Sequence, residues 1–191
     1  MLPKILLLIT CSLYVNLSCE SQPAGKLSIN GFTHWLIGHD SATTQLIPSV
    51  GSNGLTTENN RIVAHAKFNV AKYGELSFPI KPSDAVEALP VDLSKSKFIK
   101  IEYKANHEVI LQLRQTGVHG GVHNHIVLPA SDVFVNHTIY FSSFKDGPTP
   151  LDLSNVAKFN FAFLGNNPAH DYAELVVRSF KINRYKPAAK K

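Results

Sequence analysis

The sequence predicts an all-β fold, a sandwich or barrel of half-buried antiparallel strands. Two observations predict it. Apolar residues recur at every second position through most of the chain, the spacing that sends alternate side chains to opposite faces of a strand, and no segment of comparable length keeps a helical stripe. Turn-forming clusters then punctuate these runs at short intervals, as SVGSNG, KPSD, KANHE, KDGPTP and LGNNPAHD.

Residues 61–70 read RIVAHAKFNV, with Ile62, Ala64, Ala66, Phe68 and Val70 on one face and His65, Lys67 and Asn69 on the other. Leu76, Phe78 and Ile80 oppose Glu75 and Ser77, and in 97–105 Ile99, Ile101 and Tyr103 oppose Lys100, Glu102 and Lys104. Val109, Leu111 and Leu113 oppose Gln112 and Arg114; Phe159, Phe161 and Phe163 oppose Asn160 and Ala162. Half-buried strands of this kind belong to antiparallel sheets packed face to face. An echo runs through the pattern: Val91-Asp92-Leu93-Ser94 precedes KFIKIEY, and Leu151-Asp152-Leu153-Ser154 precedes KFNFAFL. In each copy Asp-Leu-Ser is suited to a polar turn whose leucine folds back on the core before a strand begins.

The first 18 residues carry one charge, Lys4, then the apolar run ILLLITCSLYVNL and the small Ser18. This is the pattern of a secretory signal peptide and not of a membrane span. Leu17-Ser18-Cys19 resembles the bacterial lipoprotein signal, in which the cysteine becomes the lipidated first residue; Asn16 stands where that signal usually has leucine, so ordinary signal-peptidase cleavage is also open. Both cysteines, Cys11 and Cys19, fall within this segment or at its edge, and a disulfide-free monomer is expected. Loss of Lys4 lowers the formal net charge only from +5 to +4. The basic cluster, 186–191, reads as a solvated tail and not as a nucleic-acid arm. About 170 residues remain, enough for one core. The expected organisation is a signal peptide at 1–18, a linker at 19–26, one domain at 27–185 and the tail.

The series DLSKSKFIKIEYKA, VILQLRQ, HNHIVLPASD, HTIYFSSFKD, LDLSNVAKFNFAF and AELVVRSFKI resembles the carbohydrate-binding modules of the galactose-binding-like jelly-roll class, as attached to bacterial cellulases and related glycanases. A family of respiratory complex I assembly factors shares the pattern and the fold, but an export signal argues against that role. The resemblance implies a β-sandwich jelly roll of two antiparallel sheets that binds a polysaccharide or oligosaccharide. In that class the last strand commonly ends in an Asp that helps hold a structural calcium; the matching position here is Arg178, so no cofactor is expected. Flat crystalline surfaces are usually gripped by a row of exposed Trp and Tyr, whereas this chain has one tryptophan, Trp35. The implied ligand is therefore a soluble chain held in a cleft by hydrogen bonds and a few stacking rings.

With strands named B to I from residue 61 onward, the usual jelly-roll pairing puts C, H, E and F in one sheet and B, I, D and G in the other. C is 75–80, E is 109–115, F is 122–128 and H is 156–164. Their outer faces then present Glu75 and Ser77, Gln112 and Arg114, His123 and His125, and Asn160 and Ala162. The expected ligand-binding set is Gln112, Arg114, His123, His125, Asn160 and Glu75, with Trp35 as a sugar platform at the groove end or a partly buried edge residue. The opposite sheet presents Lys67, Lys100, Glu102, Lys104 and Arg178 as an ordinary charged surface.

Three of the nine histidines fall in HGGVHNH, at His119, His123 and His125. His-x-His on a strand can chelate zinc or copper, with His119 as a third nitrogen. It also places both rings on one side of a groove, and this reading is adopted, with no metal ligands assigned. Gly117, Gly120 and Gly121 are expected to relax the loop, and Asn136-His137-Thr138 matches the N-glycosylation acceptor pattern. No catalytic residue is assigned, because paired glycosidase carboxylates and a nucleophile turn are both missing from the pattern. The alternative function is a jelly-roll polysaccharide lyase acting on a uronate-containing glycan, in which Arg114, Gln112 and a histidine would carry the chemistry and a tyrosine is lacking, since Tyr140 falls on the other sheet. The predicted protein is secreted or extracytoplasmic, associates with a membrane only through a lipid anchor, and has a glycan or a glycan-degrading enzyme in trans as its partner.

Overall fold

The computed structural model describes residues 36–39, 45–47, 57–58, 61–67, 73–81, 88–164 and 172–185. The signal segment, Cys11, Cys19, the linker, Trp35 and the basic tail lie outside the described residues. The strands are β1 (Leu36–His39), β2 (Gln45–Ile47), β3 (Thr57–Glu58), β4 (Arg61–Lys67), β5 (Tyr73–Pro79), β6 (Phe98–Ala105), β7 (Val109–Gln115), β8 (Asn124–Leu128), β9 (Ser131–Tyr140), β10 (Val156–Leu164) and β11 (Tyr172–Ile182). Two single-turn 3-10 helices, Phe141–Ser143 and Leu153–Asn155, precede and follow the 144–152 loop.

These strands form two antiparallel sheets. One runs β1-β5-β10-β7-β8, and the other β2-β4-β11-β6-β9 with β3 paired to β4. Strands C, H, E and F of the sequence reading are β5, β10, β7 and β8, and they share the first sheet in that order; B, I, D and G are β4, β11, β6 and β9 and share the second in that order. Strand F starts at Asn124 and not at residue 122. Gly120 and Gly121 hold φ of 75° and 72°, which keeps the chain out of extended conformation until just before the histidine pair.

The core lies between the sheets and is built by the alternation read from the sequence. Leu76, Phe78, Ile99, Ile101, Tyr103, Val109, Leu111, Leu113, Phe159, Phe161, Leu175, Val177 and Phe180 are all buried within it. Phe180 on β11 packs edge-on against Phe78 at 5.2 Å and Phe159 at 4.9 Å between ring centroids, which joins the two sheets at their middle. Tyr103 is buried with its hydroxyl donating to the Pro129 carbonyl at 2.8 Å, and burial pushes its pKa up to about 12.

Both Asp-Leu-Ser turns form. Asp92 Oδ1 accepts from the Ser94 N–H at 2.8 Å, and Asp152 Oδ1 accepts from the Ser154 N–H at 2.9 Å and its hydroxyl at 2.7 Å. Hydrogen bonding from the serine side chain and then from its backbone N–H holds both carboxyls below the usual aspartate range. The two copies also pair with each other. The Leu93 N–H donates to the Leu153 carbonyl at 2.7 Å, and Val91 and Val156 exchange backbone bonds at 2.9 and 3.2 Å. Repeated sequence thus becomes a clasp at one end of the sandwich.

The outer face of the second sheet carries charged side chains, two pairs of which are matched among the described residues, while Lys100 lies opposite Lys181. Arg178 stands at a register break in β11, stacks 3.6 Å from the Phe134 ring centroid and pairs with Glu102, while Lys104 pairs with Glu174 at 3.5 Å. The sequon residues Asn136 and Thr138 are exposed on β9.

Candidate functional site

Strand register decides which polar side chains meet. Ser77 on β5 lies opposite Asn160 on β10, Asn160 opposite Gln112 on β7, and Gln112 opposite His125 on β8. These four residues form one rank across four strands on the face away from the core. Strand spacing of about 4.8 Å makes the rank about 14 Å long. A second rank runs beside it, with Lys158 on β10 directly opposite Arg114 on β7. On the other side Glu75 faces Ala162, Ala162 faces Ile110, and Ile110 faces Val127, so the face turns apolar toward that end.

The structure brings Glu75, Gln112, Arg114, His125 and Asn160 onto this one sheet, with His123 immediately before its edge strand, but at different depths. Arg114, His125 and Glu75 are half-buried, whereas Gln112, His123 and Asn160 are only 5%, 5% and 1% exposed. The sequence reading assigned these residues to the outer face, and the structure adds the depth at which each lies. A residue in the middle of a five-stranded sheet is ringed by other side chains on the same face, and period-two spacing reports the side of a strand, not the depth on it.

Burial has settled some of these polar groups into internal bonds, as it must. The Ser77 hydroxyl lies 2.9 Å from Asn160 Oδ1 and 2.8 Å from Glu75 Oε1 and can donate to either. Gln112 Oε1 accepts from the His123 backbone N–H at 3.1 Å, leaving its Nε2 amide without a partner among the described residues. His125 Nδ1 sits 3.0 Å from the His123 carbonyl, which leaves Nε2 directed elsewhere. Arg114, with five donors in a fixed fork, makes no hydrogen bond or ion pair among the described residues.

Burial is the main reason that His123 holds a proton less readily than an ordinary histidine. The Arg114 guanidinium is the second cause, Glu75 acts in the opposite direction, and Lys158 and His119 add to the depression. The imidazole is neutral at pH 7. Well above pH 6.5 neither the folded nor the unfolded form is charged, so the full contribution to stability is present. As pH falls through 6.5 the unfolded histidine protonates first, and stability is lost until the lower folded pKa is passed. Wild-type protein is therefore expected to lose more stability between pH 7 and pH 5 than His123→Gln, measured as the shift in denaturant midpoint; equal shifts would contradict a depressed His123.

The edge strand β8 is tied down by residues that sequence reasoning missed. Asn124, between the two histidines, is buried; its Nδ2 donates to the Thr149 carbonyl at 2.9 Å and Gln115 Oε1 at 3.4 Å, and its Oδ1 accepts from the Gly147 N–H at 3.2 Å. His125 and Lys145 exchange backbone bonds at 2.9 and 3.3 Å. The loop KDGPTP, readable in the sequence only as a turn, is the clamp that holds the histidine strand. Lys158 was missed as well. Its place two residues before Asn160 was the available signal, obscured by the irregularity between Val156 and Lys158.

Among the described residues no group of three or more His, Cys, Asp or Glu is placed to hold a metal ion, and His119, His123 and His125 are all described. No protein-family model matches the chain, and no curated protein sequence matches it. Solved structures do. The family 11 carbohydrate-binding module of the cellulosomal cellulase Lic26A-Cel5E of Clostridium thermocellum is similar over 84% of this chain and 92% of its own, at 17% identity and a TM-score of 0.51. A family 11 module from the same organism, in complex with a β-1,3-1,4-mixed-linked tetrasaccharide, matches over 84% and 93% at 18% identity and a TM-score of 0.50. A family 29 module from Piromyces equi covers 64% and 70% at 10% identity with a TM-score of 0.41. The fold of this chain is the β-sandwich jelly roll of the carbohydrate-binding modules.

Proposed function

We propose that this protein binds a polysaccharide without catalysis, on the outer face of the five-stranded sheet, as a secreted or surface-anchored domain. One observation carries the reading: the polar rank Ser77, Asn160, Gln112 and His125 crosses four strands and is flanked by Arg114, whose donors are unengaged among the described residues. The half-buried His125 imidazole and the Arg114 guanidinium of the adjoining rank offer donors and an acceptor to sugar hydroxyls, and the buried Ser77, Asn160 and Gln112 fix the strands that carry them. The similarity in fold to a family 11 module that holds a mixed-linked tetrasaccharide supports the same use of the sandwich.

The test is a glycan array followed by calorimetric titration of the bound glycans. Arg114→Ala is expected to weaken binding by about 1–3 kcal/mol, the scale of a lost hydrogen bond that leaves its partner unpaired. Folding stability should change by less than about 0.5 kcal/mol, because the side chain is partly exposed and holds no internal bond. If Arg114→Ala and His125→Ala both bind as the wild type does, the site is not on this face. Unsaturated product absorbing in the ultraviolet during the same incubations would replace binding with lysis.

Export rests on residues 1–18, and fractionation separates its two routes. With Cys19 acylated, Cys19→Ser moves the protein from the membrane to the soluble fraction of a bacterial host. With ordinary signal-peptidase cleavage the two fractionate alike.

A further inference from the structure

Arginine is treated differently on the two sheets. Arg178 on β11 is satisfied from within the protein, paired with the Glu102 carboxylate and stacked on Phe134. Arg114 on β7 is half-buried and has neither kind of partner among the described residues, and the residue directly across from it on β10 is another cation, Lys158. Like charges placed opposite each other across a strand pair repel. A guanidinium cannot relieve this by losing its proton.

The charged and titratable groups that act on the neighbouring His123 are Arg114, Lys158 and His119 on the basic side and Glu75 alone on the acidic side. A neutral sugar hydroxyl would give Arg114 a hydrogen bond but no counter-charge. A carboxylate gives both, through two parallel N–H···O bonds that match the planar fork.

Resting on the carbohydrate-binding reading, we propose that the ligand is an acidic polysaccharide whose sugars carry ring carboxylates, and that Arg114 is the group that takes the carboxylate. His125 then reads a hydroxyl, and the apolar end at Ile110 and Val127 lies against the uncharged face of the chain.

The experiment uses matched β-1,4-linked hexamers, with mannuronate set against mannohexaose and glucuronate against cellohexaose. Members of each pair differ only in a carboxylate against a hydroxymethyl group. The acidic member of at least one pair is expected to bind about tenfold tighter than its neutral counterpart, and added salt should erode that preference. Arg114→Gln should reduce the acid to the level of the neutral sugar, and Arg114→Lys should retain part of the preference, with thermal melts confirming that both variants fold. Bound uronate should also raise the His123 titration midpoint seen by NMR, because the carboxylate offsets the guanidinium charge; a purely structural Arg114 would leave it unmoved. Equal or tighter binding of the neutral hexamers overturns the acidic ligand while leaving sugar binding intact. Binding of none of the four by folded protein overturns both. Equal competition by polyglutamate overturns the proposal in favour of unspecific attraction to polyanions.

Discussion

Replacing Phe180 with alanine is expected to lower the unfolding free energy by about 3–5 kcal/mol. The ring is fully buried on β11 and touches the opposite sheet through Phe78, Phe159 and Phe161, with centroid separations of 5.2, 4.9 and 6.1 Å. Alanine removes the apolar area and also leaves a cavity that two rigid sheets cannot close, because each is held in place by its own hydrogen-bond ladder. Single domains have about 5–15 kcal/mol in total, so this one change consumes a large share. The check is the denaturant midpoint at constant slope, with Phe180→Leu as a companion that keeps most of the volume and costs less. A loss under about 1 kcal/mol would mean that the two sheets do not meet at Phe180.

The second large effect is expected at Asn124. Asn124→Ala deletes three hydrogen bonds and leaves the Gly147 N–H, the Thr149 carbonyl and Gln115 Oε1 without that partner. Buried groups stranded in this way cost about 1–3 kcal/mol each when water cannot replace the bond. Partial exposure of the loop brings the total expected to about 2–4 kcal/mol. Gly147→Ala attacks the same joint from the other side. A Cβ there would lie 2.5 Å from the Asn124 backbone nitrogen and 2.8 Å from its side chain, and no rotamer change moves a backbone atom away. Both variants are expected to weaken glycan binding along with stability, since Lys145 in that loop also pairs with the His125 backbone. The double variant should cost much less than the sum of the two, as for residues sharing one contact. Full additivity in denaturant melts would show that the two residues act separately.

The architecture was legible wherever one face of a strand is buried, because a slip of one residue there would turn the core-facing side chains toward solvent. Residues 109–115 and 156–164 are strands with the boundaries read from alternation, and the order β5-β10-β7-β8 follows the jelly-roll pairing. Before residue 61 the signal fails: β1, β2 and β3 have four, three and two residues, too short to display a period. The site was legible as a face and not as a depth. Alternation puts Gln112, Asn160 and His123 away from the core, but only their neighbours on adjacent strands make them buried. Asn124 could not be found at all, since its partners Thr149 and Gly147 come from a turn more than twenty residues away whose docking leaves no periodic trace.

The order of strands in space also dictates an order in time. β10 holds β5 and β7 together, and β11 holds β4 and β6 together. Before β10 and β11 join, the described strands pair only as separate ribbons: β1 with β5, β7 with β8, β6 with β9, and β4 with β2 and β3. Each ribbon is at the edge of independent stability or below it. The two unifying strands come last among the described strands in chain order, so neither sheet can close until residues 156–182 have been made. A nascent chain that stops short of β10 remains a set of unjoined ribbons.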